Sequence, residues 1–286
     1  MKFAVSEAFY SIQGEGKYVG VPSVFLRMFG CNFKCEGFGM PRGEKSVERL
    51  AVNPVNFTKF TDLPLVSTGC DSYSSWDPRF KRFAKHYEPA ELAWYLTGLT
   101  PNENWGNGLD KNVHLVITGG EPLLGWQKLY PDLFDLLVRE REWDGGVTHI
   151  TFETNGTQPL RKDFRMMQNT LTEITFSVSP KLSASGEKWE DAIKPEVLAG
   201  YYFSELNSDM YLKFVVDQPD DVYEIERAVN DYVMAGVICP VYLMPVGGMN
   251  QMYQENAEKV AKMAMSRGWR YSPRLQVDLF GNNWGT

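Results

Sequence analysis

Three of the four cysteines stand where chemistry could be done. Cys31 and Cys35 share the stretch Gly30-Cys31-Asn32-Phe33-Lys34-Cys35, and Cys70 sits in Gly69-Cys70-Asp71-Ser72. The first loop follows an apolar run, Val24 to Phe29, that reads as a strand. Three thiolates behind a strand suit a metal centre, and an iron–sulfur cubane held by three cysteines leaves one iron open to a substrate or cofactor. Two other readings stand beside it. Free cysteines pack like small hydrophobes, so the three thiols could be separately buried; or a structural zinc–thiolate module could recruit Cys239 as its fourth ligand. Cys239 lies in Val237-Ile238-Cys239-Pro240-Val241, which reads as core.

Other residues carry chemistry of a different kind. Arg27 interrupts the apolar strand on the face opposite Leu26 and Met28; it could grip a carboxylate with two parallel bonds or snorkel to solvent. The segment 11–20 is glycine-rich and holds Gln13 and Glu15, which suits either a ligand loop or a plain turn. Gly119 and Gly120 bare the backbone to an ammonium group or make a turn, and Ser179 and Lys181 offer a hydroxyl and a cation, or a solvated loop.

These residues need a scaffold, and the periodicity supplies one. Strands are expected near 3–10, 113–117, 147–153, 173–178, 211–216 and 241–244. Helices are expected at 89–97, 129–139, 222–233 and 253–266, each with apolar residues at helical spacing. Alternation of this kind implies parallel strands with crossovers, an α/β fold, and here a partial (β/α) barrel. Its chemistry would gather at the carboxyl ends of the strands, where Cys31, Gly119-Gly120-Glu121, Glu153-Thr154-Asn155, Ser179-Pro180-Lys181 and Met244-Pro245-Val246-Gly247 all fall. Residues 36–69 show little period and read as a long loop that either shields the site or elaborates the periphery. The run 276–280 reads as strand-like.

Composition narrows the function. At 286 residues, 43% apolar and 23% charged, the chain fits one α/β domain over 1–286 with an insertion at 36–69. A net charge of -7 gives no basic footprint for nucleic acid, so a small-molecule substrate is expected. The first residues meet an acid before any apolar run, and no stretch is long and apolar enough for a span, so no secretory signal or membrane partner is expected. Four cysteines are too few for a disulfide scaffold, which suits a reducing cytoplasm. His86, His114 and His149 are well separated, which makes a histidine-built metal centre an unexpected choice.

The motifs together resemble a known family. Gly30 to Cys35 with Cys70-Asp71 looks like the cluster loop of radical S-adenosylmethionine (SAM) enzymes. Ser11-Ile12-Gln13-Gly14-Glu15-Gly16, Thr118-Gly119-Gly120-Glu121-Pro122, Glu153-Thr154-Asn155-Gly156 and Ser177-Val178-Ser179-Pro180-Lys181, in that order, resemble 7-carboxy-7-deazaguanine synthases. The chain departs at the cluster, with 34 residues (36–69) between Cys35 and Cys70 where the family pattern has two.

The resemblance implies a 4Fe–4S cluster on Cys31, Cys35 and Cys70, and magnesium on Ser72. It implies SAM against Gly69, Asp71, Gly120, Glu121, Ser179, Pro180, Lys181 and the backbone of Met244, Pro245, Val246 and Gly247. A pterin substrate would meet Ile12, Gln13, Gly14, Glu15, Arg27 and Thr118. It further implies ring contraction of 6-carboxytetrahydropterin with loss of ammonia, a reducing partner such as flavodoxin, and a homodimer. A radical SAM activase acting on a partner protein's glycine is the rival within the superfamily. No ligand is assigned to the C-terminal tail.

Overall fold

The computed structural model describes residues 1–106, 113–139, 145–165 and 172–286. Among them nine strands form one sheet: β1 (Phe3–Ile12), β2 (Pro22–Met28), β3 (Lys85–Tyr87), β4 (His114–Gly119), β5 (His149–Thr154), β6 (Glu173–Val178), β7 (Ser208–Val216), β8 (Val241–Pro245) and β9 (Arg270–Tyr271). The order is β3-β1-β2-β4-β5-β6-β7-β8-β9. From β2 to β9 every pairing is parallel, while β1 runs antiparallel to both its neighbours. The expected partial barrel is therefore present, with two antiparallel strands, β1 and β3, added at one edge.

The helices are α1 (Glu48–Ala51), α2 (Pro89–Thr97), α3 (Tyr130–Arg139), α4 (Lys162–Arg165), α5 (Trp189–Ala192), α6 (Pro195–Tyr202), α7 (Asp221–Met234), α8 (Asn250–Arg267) and α9 (Leu275–Phe280). α2 starts where the sequence dictates, with Pro89 in the first turn and a capping box between Glu88 and Glu91. Helix residues such as Leu96, Leu133, Leu198, Ile225 and Val260 pack on one face of the sheet, against Leu26, Ile117, Phe152, Phe176 and Phe214. Each such buried side chain contributes roughly 1.5–3 kcal/mol of transfer free energy. Side chains one step along each strand turn to the opposite, inner face.

Two stretches differ from expectation. Residues 275–280 are helical rather than strand-like: Gly281, at φ 63°, ends the turn in the left-handed conformation, and Val277 is the buried position of α9. A six-residue run with alternating polarity fits one helical turn and a half as well as a strand; here the helix forms, and Arg274 just before it and Gln276 within it line the cavity. The insertion is not a bare loop either. It holds α1 and two 3₁₀ turns, and Val52, Phe60, Leu63 and Val66 form a small core with Tyr73, Trp76 and Phe80. Cys31, Cys70 and Trp284 pack against that core, so the insertion lies on the cysteine side of the barrel. None of the described helices is long and apolar enough to cross a membrane.

Candidate active site

A cavity of about 250 Å³ opens at the carboxyl ends of β2 and β4 to β8. Cys31, Cys35 and Cys70 all reach it. The loop that carries the first two is pinned from several sides. Lys34 and Cys35 donate their backbone N–H groups to Glu187 Oε1 at 2.9 and 2.8 Å, which holds Cys35 at φ 50°, a conformation side chains rarely adopt. Asn32 bonds Thr157 and Asn155 at 3.0 and 2.9 Å. Gly30 donates to the Ser75 carbonyl at 2.7 Å and accepts from the Glu121 N–H at 2.7 Å.

Gly119 and Gly120 explain themselves in this contact. A Cβ on Gly120 would stand 2.1 Å from the Gly30 oxygen, and one on Gly119 would stand 2.2 Å from the Met28 oxygen. The two glycines let the end of β4 press against the cysteine loop.

Burial raises all three thiols, Cys31 to about 12, Cys70 to about 11 and Cys35 well above the usual range; Cys70 adds to the rise at Cys31 and Cys35, and Asp71 to that at Cys70. The three therefore stay protonated until a cation draws off the protons. Among the described residues no three metal-ligating side chains converge on an ion-sized point. Cys239 precedes β8, at the end of the strands away from the cavity, and packs on the main core. The fourth ligand that a zinc module would need is not at the site.

The inner face below is charged. A bulge after Val5 in the β1–β2 pairing sets Glu7 opposite Arg27. Arg27 Nε donates to Glu7 Oε1 at 2.8 Å and Nη1 to Ser72 Oγ at 3.2 Å. Burial raises the Glu7 carboxyl, and Arg27 offsets only part of that.

Deeper, Glu15 is bonded by Lys213, by Arg274 Nε at 3.2 Å and by Gln276 Nε2 at 2.7 Å. Burial pushes Glu15 upward, but Lys213 and Arg274 prevail and hold it at about 2. Burial alone would lower Lys213; the carboxylates of Glu15 and Glu153 raise it instead. Arg274 Nη2 also donates to Asp71 Oδ2 at 2.6 Å, and Gln13 Nε2 donates to Glu153 Oε1 at 3.3 Å. Gln276 Oε1 is buried against Gly14 with no hydrogen-bond partner among the described residues.

Most residues singled out from sequence meet here. Ile12, Gln13, Gly14, Glu15, Arg27 and Thr118 line the cavity, as do Gly69, Asp71, Ser72 and Gly120. Ser179, Lys181, Met244, Pro245, Val246 and Gly247 complete that set. Pro180 is buried behind the wall, and Glu121 faces away from it. The Glu121 carboxylate is fully buried and accepts from Thr154 Oγ1, the Asn155 N–H and the Leu123 N–H at 2.8, 2.7 and 3.0 Å, so it ties the loop after β4 to the loop after β5.

Sequence reasoning missed Glu7, Glu187, Lys213, Arg274 and Gln276. The signal for Lys213 was available: a lysine inside Tyr211 to Val216 interrupts an apolar strand just as Arg27 does. The tail, left without a ligand, also reaches the cavity through residues 282–286.

Three cysteines gathered at the mouth of a mostly parallel partial barrel, with a charged interior beneath them, define a radical SAM enzyme. No protein-family model matches the chain. It is 30% identical to the 7-carboxy-7-deazaguanine synthase of Halobacterium salinarum over 97% of this chain and 90% of that protein. It is 29% identical to the Rhodopirellula baltica protein of the same name, over 99% and 88%. The crystal structure of QueE from Escherichia coli superposes with a TM-score of 0.53 at 21% identity, covering 95% of this chain and 93% of that one. The chain belongs to the 7-carboxy-7-deazaguanine synthase family.

Proposed function

We propose that this chain contracts the ring of 6-carboxytetrahydropterin to 7-carboxy-7-deazaguanine with loss of ammonia. The observation that carries the reading is the meeting of Cys31, Cys35 and Cys70 with Arg27 and Ser72 on one cavity. The three thiols would hold a 4Fe–4S cluster. With SAM, the cluster would supply radical chemistry at the carbon beside the substrate's carboxylate.

The chain's own residues position and enclose. Arg27, already carrying a partner in Glu7, offers its remaining N–H groups to that carboxylate and so fixes which hydrogen is presented. Gln13 and Glu15 give the pterin edge acceptors and donors, while Phe9 and Phe25, stacked with centroids 5.0 Å apart, supply an apolar wall. Ser179 and Lys181, joined at 3.0 Å, with Gly120 and the Met244 to Gly247 backbone, form the side that would take SAM. Ser72 Oγ stands one hydrogen bond from both Arg27 and Asp71, so an oxygen donor for magnesium lies beside the group that grips the carboxylate. A single domain, a homodimer, a flavodoxin-like reductant and the cytoplasm complete the proposal.

The test is anaerobic. After reconstitution and reduction, the chain given SAM, magnesium and 6-carboxytetrahydropterin should yield 7-carboxy-7-deazaguanine by mass spectrometry, and Cys70→Ala should abolish both product and cluster. Deoxyadenosine without product would sink the substrate assignment while leaving the radical chemistry.

A further inference from the structure

The two cysteine loops are held in different ways. Only three residues separate Cys31 from Cys35, so fixing one thiol nearly fixes the other. The 34 residues from 36 to 69 leave Cys70 with no such covalent restraint, and a chain segment of that length fixes the position of its end only through contacts it makes elsewhere.

Most contacts around Cys70 are local: its carbonyl accepts from the Tyr73 N–H at 3.2 Å, the Ser72 carbonyl accepts from the Ser75 N–H at 2.9 Å, and Cys70 packs on the insertion's small core. Gly69 donates its N–H to the Phe38 carbonyl at 2.7 Å, within the insertion's own base. Ser72 Oγ accepts a 3.2 Å bond from Arg27 and donates to Asp71 Oδ1 at 3.3 Å. Asp71, between them, is bound by Arg274 at 2.6 Å, a charge-assisted bond between groups 203 positions apart.

Arg274 is itself firmly placed. Its side chain is 8% exposed, its backbone N–H donates to Tyr253 Oη at 3.1 Å, and the next residue donates to the Gly14 carbonyl at 3.0 Å. Its guanidinium also bonds Glu15 on the β1–β2 loop and the Gly247 carbonyl after β8. A planar fork with five donors can span three acceptors at fixed angles, which an ammonium cannot.

We propose that Arg274 is a positioning residue for the third cluster thiolate: by tying Asp71 to the barrel it takes the place of the short covalent tether that Cys70 lacks. The proposal rests on the reading that Cys31, Cys35 and Cys70 hold the cluster. The C-terminal segment, on this view, is part of the cluster site even though it supplies no ligand to it.

The experiment follows each thiol in the metal-free protein by mass-spectrometric alkylation, and iron content after reconstitution. In Arg274→Met the labelling of Cys70 should rise about tenfold or more through local opening, while Cys31, Cys35 and Cys239 stay within about twofold. Reconstituted iron per chain should fall in step, and Arg274→Lys should lie between wild type and Arg274→Met in both readouts. No rise at Cys70, or an equal rise at all four thiols, overturns the proposal. If Arg274→Met does not fold by circular dichroism, Asp71→Asn decides by the same criterion, since it cuts the bond from the other end and leaves Arg274 on Glu15 and Gly247. Wild-type protein that takes up no iron would instead overturn the cluster reading, which the alkylation of the metal-free chain does not depend on.

Discussion

Neighbouring residues on the same strands live in opposite worlds. Phe152, Phe176 and Leu212 face the helices and share one apolar core, while Glu153, Ser177 and Lys213, one step along, face the cavity. On the outer face each side chain has many interchangeable neighbours, and its contribution scales with the area it buries. On the inner face each charge has one or two named partners, and losing one strands the other in a poorly solvated site. The outer face thus holds the barrel together, and the inner face decides what the barrel can bind.

Lys213 should show the contrast most strongly. Lys213→Met removes the cation nearest Glu15 and should lower turnover about 100-fold through misplacement of the ligand-facing groups. It should also cost the metal-free protein about 3 kcal/mol in urea unfolding, because Glu15 keeps only Arg274 and Gln276. Unchanged turnover would erase the proposed difference between the faces.

On the outer face, Phe152→Ala should destabilise the fold by about 3–5 kcal/mol. Its turnover per folded molecule should nevertheless remain within about twofold at low temperature. A turnover loss as large as that of Lys213→Met would mean that the faces are not separable.

A smaller effect belongs to the far end of the barrel. His114 stacks on His149 with centroids 4.6 Å apart and is held down at about 4, first by burial and then by His149 and Lys17. Its folded value lies below its unfolded one, so the stability it lends is complete above about pH 6.5 and is lost as pH falls toward 4. Relative to His114→Phe, the wild type should lose about 2–3 kcal/mol more stability between pH 7.5 and 4.5. Parallel pH profiles would assign the acid sensitivity to the carboxylates of the inner face.

Much of the scaffold was legible before any coordinates. Helix α2 and strand β6 have the bounds that periodicity gives, and most of the other expected elements differ by a few residues at an end. The unforeseen elements are short or unperiodic: β3, β9, α1, α4, α5 and α6, and α9, whose six residues carry too little period to separate helix from strand. Within the site, residues in glycine-marked motifs were found, because a close backbone approach such as Gly120 on Gly30 leaves a mark in composition. Glu187 and Arg274 carry no such mark, since an isolated polar residue in a loop reads as solvated surface, and Gln276 opened the run that read as a strand.

The sequence by itself determined which strands and helices form, that three cysteines stand on loops beside the carboxyl ends of strands, and the order of motifs that ties the chain to its family. These are local or periodic properties, carried by neighbours in the chain. Tertiary structure alone decided which charges meet. Lys213 lies 198 positions from Glu15, and Arg274 lies 259 from Glu15 and 203 from Asp71. Such pairings have no period and depend on how the sheet curls; the same curl turned the insertion and the tail, joined by the 2.8 Å bond from the Trp284 indole to the Leu63 carbonyl, into one wall of the site.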